Sequence, residues 1–248
     1  NINESVTLSK NVTIDGANFN YTGTMSANNA LKVTVQNVHF VNGGFSKNNG
    51  GTSGTYTIKD CTFDGQGKYA YPVVAKNIGT LNVENCTVED YQYGFLYVKQ
   101  QSTKVSVKNV TVENCANYAV YLASGVAATI ENLSVKNSNN GILWTSAGAR
   151  TLNLSGCKFE NVTTAINSNG GAYVVTANIQ GVNNDFGTAV LTDKVKCVLA
   201  EDATLAATTA GLNVTTNVEG KEVAYKDGVY SVVVKRDPTG HVAYRADV

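Results

Sequence analysis

The sequence predicts an all-β fold: a single-stranded right-handed parallel β-helix of about eight coils, with three short strands in each coil. Three observations support this prediction. An eight-residue pattern recurs every 23 to 25 residues, each copy breaks its apolar alternation at an Asn, Asp or Gly, and a third apolar stretch follows in each repeat. In addition, no segment shows the periodicity of an amphipathic helix.

Each copy of the pattern reads apolar, polar, apolar, polar, corner residue, apolar, polar, apolar, as in Val105–Val112. Alternation with period two indicates strands with one buried face. Apolar residues stand two before and one after the corner, so the chain must bend there, and Asn, Asp and Gly tolerate the left-handed backbone of such a bend. We therefore predict a structural ladder of corner residues formed by Asn37, Asp60, Asn85, Asn109, Asn132 and Gly156. Gly16 is predicted at the same corner one coil earlier, and Asn183 fits more loosely one coil later.

The third apolar stretch of each repeat follows Pro or a small residue. The six stretches begin after Pro72, Gly94, Ala119, Gly141, Ala165 and Ala189. Three strands per repeat stack coil on coil at the strand spacing of about 4.8 Å and enclose a continuous aliphatic core.

The repeat fades over the last fifty or so residues, which predicts two regions. We assign residues 1–212 to the β-helix and 213–248 to a C-terminal β-hairpin or meander that acts as a cap or linker. Three strands are expected in this meander, at Val218–Tyr225, Val229–Lys235 and His241–Asp247. A cap of this kind would cover the open strand edges of the last coil.

Composition excludes several classes of protein. The chain has 19 basic and 19 acidic residues, so a nucleic-acid binder that works by bulk electrostatics is not expected. No apolar run is long enough for a membrane span. The five cysteines lack metal-ligand spacing, which favours small buried hydrophobic residues, although a disulfide between two of them stays open. We predict no metal and no cofactor.

The rhythm of Asn–apolar–x–apolar followed by small–apolar–x–apolar, over roughly residues 1–200, resembles the right-handed β-helix repeats of the pectate-lyase-like superfamily. The resemblance implies a secreted or cell-surface bacterial protein, with further domains of a larger surface protein among its expected partners. The superfamily includes lyases, hydrolases, epimerases, phage tailspikes and adhesins, so the resemblance identifies no single activity.

The enzymes of that superfamily carry recognisable residues. The lyases hold calcium with clustered acids beside a basic residue, and the hydrolases carry Asn-Thr-Asp, Asp-Asp and Gly-His-Gly motifs. None of these motifs occurs, and Asp193 is the only acid in or beside the third strands. His39 occupies an outward polar position and His241 lies in the predicted cap. Accordingly, we predict no catalytic residue.

Seven of the 13 tyrosines fall in three successive coils. Aligned on the small residue, Tyr71, Tyr93 and Tyr118 share one outward column, which leaves Tyr97 and Trp144 in the core and Asn167 outside. Aligned on the corner, Tyr97, Tyr121 and Trp144 form the column instead. We prefer the first register, because the second buries the Asn167 amide.

In the superfamily this strand and its loops form the groove for extended polysaccharides, and aromatic faces stack on sugar rings. The predicted ligand-binding residues are Tyr69, Tyr71, Tyr91, Tyr93, Tyr118 and Tyr121. A purely structural role, in which these tyrosines pack loops onto the coil, is the alternative.

These observations predict a non-catalytic secreted or cell-surface protein that binds carbohydrate or a host ligand through its tyrosines. Two alternatives stay open. One is a polysaccharide lyase or glycoside hydrolase with an unrecognised site, and the other is a structural rod or spacer in an adhesin. A row of acids at Asp64, Glu89, Glu113 and Glu160 is interpreted as part of a solvated mixed-charge face.

Overall fold

The structure is a computed structural model, and it describes residues 2–47, 53–99, 102–123, 125–146 and 151–235. These residues form 22 strands of one sheet and contain no helix. All but two of the strand pairings are parallel, and each joins one coil to the next. The predicted fold class, an all-β parallel β-helix, is confirmed.

The strands follow one another with short connections. The first eleven are β1 (Ile2–Asn3), β2 (Val6–Leu8), β3 (Val12–Ala27), β4 (Lys32–Lys47), β5 (Thr55–Lys59), β6 (Thr62–Asp64), β7 (Val73–Lys76), β8 (Thr80–Glu89), β9 (Gly94–Lys99), β10 (Lys104–Glu113) and β11 (Tyr118–Ala123). The remaining eleven are β12 (Ala127–Trp144), β13 (Leu152–Ser155), β14 (Lys158–Asn167), β15 (Val175–Gln180), β16 (Asn184–Asp185), β17 (Val190–Leu191), β18 (Val195–Leu199), β19 (Thr204–Ala206), β20 (Val214–Thr216), β21 (Lys221–Lys226) and β22 (Val229–Val234).

Each coil has three faces, and the longest strands run around the corners between them. In β10 the residues before Asn109 belong to the first face and those after it to the second face. Lys108 pairs with Glu84 and Glu131, and Val110 pairs with Cys86 and Leu133. The third face contains β7, β9, β11 and the ends of β12 and β14, which pair with one another. The sequence interval of 23 to 25 residues is thus the length of one coil.

The first corner is a ladder of side-chain amides. All six predicted ladder residues have positive φ, from 52° at Asn85 to 62° at Gly156. The Asn85 amide donates to the Asp60 carboxylate at 3.0 Å, Asn109 donates to Asn85 at 3.0 Å, and Asn132 donates to Asn109 at 2.9 Å. Gly156 ends this run, because a side chain there would begin 2.3 Å from the Asn132 Oδ1.

A second corner, between the second and third faces, carries a ladder that the sequence analysis missed. Its left-handed residues are Asn42, Gln66, Asp90, Asn114, Asn137 and Asn161. Asn137 donates to Asn114 at 2.9 Å and Asn161 donates to Asn137 at 3.1 Å. The signal was present in the sequence, because an Asn follows five residues after the first corner in several coils.

The corner prediction was wrong in the first coil and incomplete near the last. The left-handed residues of the first coil are Ala17 and Asn18 instead of Gly16, because two extra residues there interrupt the pairing with the next coil. Near the other end, both Gly181 and Asn183 have positive φ. Insertions at the corner therefore spread the bend over more residues.

The inward positions form stacks of buried side chains along the rod. Phe40 and Phe63 stack with ring centroids 4.9 Å apart and an angle of 2° between the planes. The cysteines belong to this interior: Cys61, Cys86, Cys115, Cys157 and Cys197 are all buried and free. Stacking of like side chains from coil to coil gives the solenoid its continuous core.

The C-terminal end differs from the rest of the rod. Val214–Thr216 still pairs parallel with Cys197–Leu199, beyond the predicted boundary at residue 212. The hairpin of β21 and β22 then folds back, and β22 pairs antiparallel with β19. Tyr230 of this hairpin is buried. The third predicted meander strand, His241–Asp247, lies outside the described residues.

Within the described part of the chain, no helix has the length and apolar character needed to cross a membrane.

Candidate functional site

The outward side chains of the third face stand in three columns along the rod. The first column runs through Gly94, Tyr118, Asn140 and Thr164. The second runs through Val74, Tyr97, Tyr121, Leu143 and Asn167. The third begins with Lys76, Lys99 and Ala123. The aromatic residues are confined to the N-terminal half of these columns.

Five tyrosines meet on this half of the face, and we call them the tyrosine surface: Tyr71, Tyr93, Tyr97, Tyr118 and Tyr121. Tyr71 is central, with ring centroids 5.7 Å from Tyr93, 5.2 Å from Tyr97 and 6.0 Å from Tyr118. Tyr118 meets Tyr121 edge to face at 4.9 Å. Tyr93 is the most exposed of the five, at 40%.

Gly94 allows Tyr71 and Tyr118 to meet across an intervening coil. Gly94 pairs with Tyr118, and counting back from the pairing of Val73 with Leu96 puts Tyr71 beside Gly94 as well. A Cβ on Gly94 would lie 2.1 Å from the Tyr118 carbonyl oxygen and 2.8 Å from its ring. The Tyr71 and Tyr118 hydroxyls are hydrogen-bonded to each other. The glycine is therefore the gap through which two coils bring their tyrosines together.

The predicted column of Tyr71, Tyr93 and Tyr118 needs correction on this point. Gly94, instead of Tyr93, occupies the position between the other two. Tyr93 lies one residue earlier and contacts the Tyr71 ring from the side. The alignment matched Gly94 with the small residue before the third strand of each other coil. In the structure the residue at that position is Phe95, which lies opposite Ala119, so the alignment was shifted by one residue in this coil.

Tyr97 faces outward, and its predicted place in the core was wrong. It pairs in register with Tyr121, and the two rings stack with centroids 4.7 Å apart at 11°. Trp144, by contrast, pairs with Leu122 and is buried as predicted. The coil that contains Trp144 has one residue fewer between its first corner and its third face, which explains why neither alignment by counting held throughout.

Asn167 lies outside, in the same column as Tyr97 and Tyr121. Its side-chain amide donates to the Asn140 side-chain Oδ1 at 2.8 Å, and the Asn140 side-chain amide donates to the Asn117 backbone carbonyl at 2.9 Å. In this half of the third face, hydrogen-bonded amides occupy positions that aromatic rings fill in the preceding coils.

Tyr69 and Tyr91, two of the predicted ligand-binding residues, lie apart from the tyrosine surface. Tyr91 is 1% exposed, and its hydroxyl donates to the Gly43 carbonyl at 2.7 Å. Tyr69 packs edge to face on Tyr91 and its hydroxyl is hydrogen-bonded to Thr24. Tyr69 also borders an open groove of ≈ 340 Å³ that reaches Tyr71 and Val74. These two tyrosines pack the second-corner loop onto the coil.

Burial shapes the acid–base behaviour of the tyrosine surface. It raises the pKa of Tyr97, and it raises the pKa of both Tyr71 and Tyr118. The hydrogen bond between the last two adds to the rise in pKa at Tyr118 and opposes it at Tyr71. At neutral pH these hydroxyls are therefore protonated and can both donate and accept hydrogen bonds.

Carboxylates are absent from the described positions of the three columns. An acidic row lies on the second face, where Glu89 pairs with Glu113 and Glu113 with Lys136. Lys136 forms an ion pair with Glu160 at 3.0 Å. Across the described residues, no group of three or more His, Cys, Asp and Glu side chains could hold a metal ion.

Comparison with known proteins agrees with the architecture. A family model described as a right handed beta helix region matches residues 94–219, just over half of the chain. No curated protein and no solved structure matches the chain. The matched segment includes the coils with Tyr97, Tyr118 and Tyr121, and at the level of architecture it agrees with the resemblance to the pectate-lyase-like superfamily. The chain belongs to the right-handed β-helix family.

Proposed function

We propose that this chain is a non-catalytic carbohydrate-binding protein, secreted or displayed at a bacterial cell surface, and that the tyrosine surface is its binding site. The observation that carries the proposal is the grouping of five tyrosines, each in contact with at least one other, on one outer face of a rod. Elsewhere the described outward columns hold mainly Thr, Asn, Ser and charged residues.

The chemistry of the surface suits a sugar. Aromatic rings present apolar faces to the C–H faces of a pyranose, and protonated phenol hydroxyls hydrogen-bond to its hydroxyl groups. The stacked pair of Tyr97 and Tyr121 offers ring edges, while Tyr71 and Tyr118 offer hydroxyls. The columns follow the rod axis, so an extended chain lying along them would meet one coil about every 4.8 Å.

Tyr97 and Tyr121 are outward residues, so substitutions there should change ligand binding without disturbing the buried core. Replacing both by alanine removes the exposed stack and leaves the inward neighbours in place. We expect the Tyr97→Ala, Tyr121→Ala double variant to lose at least tenfold in affinity for any glycan that the chain binds, in line with the loss of aromatic contact area. Tyr173→Ala is the control, because Tyr173 lies outside the tyrosine surface.

The experiment is a glycan-array screen of the purified chain, followed by calorimetry on each hit with the two variants. Mass spectrometry of every glycan after incubation tests for cleavage. Binding that the double variant loses and the control retains supports the proposal. Unchanged binding in the double variant would contradict the assignment of the tyrosine surface as the binding site. A cleaved product would make the protein an enzyme. No binding to any glycan would favour a structural rod.

A further inference from the structure

Two lysines border the tyrosine surface in the third column. Lys76 ends β7 and Lys99 ends β9, and the two are register partners in adjacent coils. Each stands two residues after an outward residue of the second column, Val74 and Tyr97 respectively, so both ammonium groups lie on the same side of the sheet as the tyrosines. Two cations thus flank one edge of the aromatic surface.

The chain stretches around this lysine pair contain no acidic residue. The sequence contains no Asp or Glu in residues 65–83 or 91–112, the stretches that hold the two lysines. The three ion pairs among the described residues involve other lysines: Lys108, Lys136 and Lys221. Burial and the neighbouring Lys99 lower the pKa of Lys76. Like charges directly opposite each other destabilise a sheet. Because these chain stretches contain no acidic side chain, the positive charges of Lys76 and Lys99 are not offset there.

The chain as a whole carries no net charge, but near the lysine pair the two signs of charge lie on different faces. Asp64, Glu89 and Glu113 stack on the second face in successive coils. Lys76 and Lys99 stand on the third face of the same coils. A field of this kind favours anions on the tyrosine side and repels them from the neighbouring face.

Lys99 also contacts the aromatic surface directly. Its Nζ lies 4.8 Å from the centroid of the Tyr97 ring, in cation–π geometry. A sugar bound at the outer edges of the Tyr97 and Tyr121 rings would lie beside this ammonium. An acidic substituent there would meet Lys99 and Lys76 together and relieve their mutual repulsion.

We propose that the tyrosine surface selects sugars that carry an anionic group, a carboxylate or a sulfate ester, and that Lys76 and Lys99 bind this group. The inference rests on the proposed function, since it names the ligand class of the same site. Carboxylate and sulfate share the chemistry of a compact anion with several acceptor oxygens, and the experiment separates them.

The test uses three polymers with one backbone and one chain length: dextran, carboxymethyl-dextran and dextran sulfate. Calorimetry at low and at physiological salt measures their affinity for the intact chain. We expect at least one charged polymer to bind about tenfold or more tightly than dextran, and the Lys76→Gln, Lys99→Gln double variant to lose about that factor. The charged polymer that still binds more tightly than dextran at physiological salt shows whether the site prefers a carboxylate or a sulfate ester.

A matched control removes the same charge elsewhere. Lys158→Gln with Lys194→Gln changes two exposed lysines away from the tyrosine surface and should alter the affinity less than twofold. Equal losses in the two double variants would reduce the effect to bulk electrostatics and overturn the inference. So would an equal affinity for dextran and both charged polymers, or a complete absence of binding to all three.

The two proposals fail in different ways. Binding of neutral glycans that the tyrosine variant abolishes and the lysine variant preserves overturns the anionic inference and leaves the proposed function standing. Binding of charged polymers that depends on the lysines and not on Tyr97 and Tyr121 would overturn the tyrosine site instead.

Discussion

The two halves of the third face share one backbone register and differ in their outward side chains. In the first column Tyr118 is followed by Asn140, and in the second column Tyr121 is followed by Leu143. Inward neighbours such as Val120 and Ile142 stay aliphatic across the same boundary. The comparison shows that the inward columns hold the register, so the outward columns can change from amide to aromatic without changing the fold.

The first corner divides at nearly the same place. Up to Asn132 the corner residues carry side chains that join neighbouring coils, whereas Gly156 and Gly181 keep the left-handed backbone without any side-chain link. The half with the tyrosines is therefore also the half whose first corner is tied together by hydrogen bonds. Three predictions test this difference.

The largest expected effect is at Gly94, which lies in the half of the third face that holds the tyrosines. Gly94→Ala would bring a Cβ to 2.1 Å from a backbone oxygen, so neighbouring coils must move apart. We expect a loss of about 1–3 kcal/mol in the free energy of unfolding and separation of Tyr71 from Tyr118. Urea unfolding measures the first, and near-ultraviolet circular dichroism the second. An unchanged urea midpoint would contradict the packing described for this coil.

The next effect separates the two contributions of a corner asparagine. Asn109→Ala removes two ladder hydrogen bonds and places alanine at a φ of 52°, for an expected loss of about 2 kcal/mol in the free energy of unfolding. Asn109→Gly removes the same hydrogen bonds but tolerates the backbone, and so imitates Gly156. We expect it to lose about half as much. Equal losses in urea unfolding would mean that backbone conformation contributes nothing.

The smallest effect is at Tyr118. Burial holds the pKa of this phenol above its ordinary value of about 10, so the folded chain retains the proton more tightly than the unfolded chain. The resulting stability is complete below pH ~10 and is lost as the pH rises further. Tyr118→Phe should flatten this alkaline fall, and at pH 7 it should cost about 1 kcal/mol through the lost hydrogen bond to Tyr71.

Urea unfolding between pH 7 and pH 11 measures both consequences of the Tyr118 change. Tyr173→Phe is the control, because Tyr173 lies outside the tyrosine surface. An alkaline fall of the same steepness in wild type and Tyr118→Phe would assign the pH dependence to other groups.

The sequence was sufficient for the fold because the repeat is a property of single residues at fixed intervals. A left-handed corner can be inferred from Asn85 or Asn109 alone, since few other residues accept that backbone. The same rule failed at Gly16, where two inserted residues moved the bend to Ala17 and Asn18. Corner prediction therefore depends on a constant number of residues between strands.

The tyrosine surface was harder to predict, because a shift of one residue reverses which way a side chain points. Counting from the corner correctly aligned Tyr97 with Tyr121 and then failed at Trp144, where the turn is one residue shorter. Counting from the small residue placed Trp144 correctly and failed at Gly94. The choice between these two alignments depends on how residues of neighbouring coils pair, and no local sequence pattern contains that information.

The direction of the amide ladder has an electrical consequence. At the first corner every ladder amide donates toward the N-terminal end of the rod, and each of the two hydrogen-bonded runs begins on a carboxylate: Asn37 donates to Asp15, and Asn85 donates to Asp60. The amide dipoles of the longer run, from Asn85 to Asn132, therefore add along the axis, with their positive ends facing an anion. A carboxylate at that end acts as an acidic residue does at the N-terminus of an α-helix, in a protein that contains no helix among its described residues.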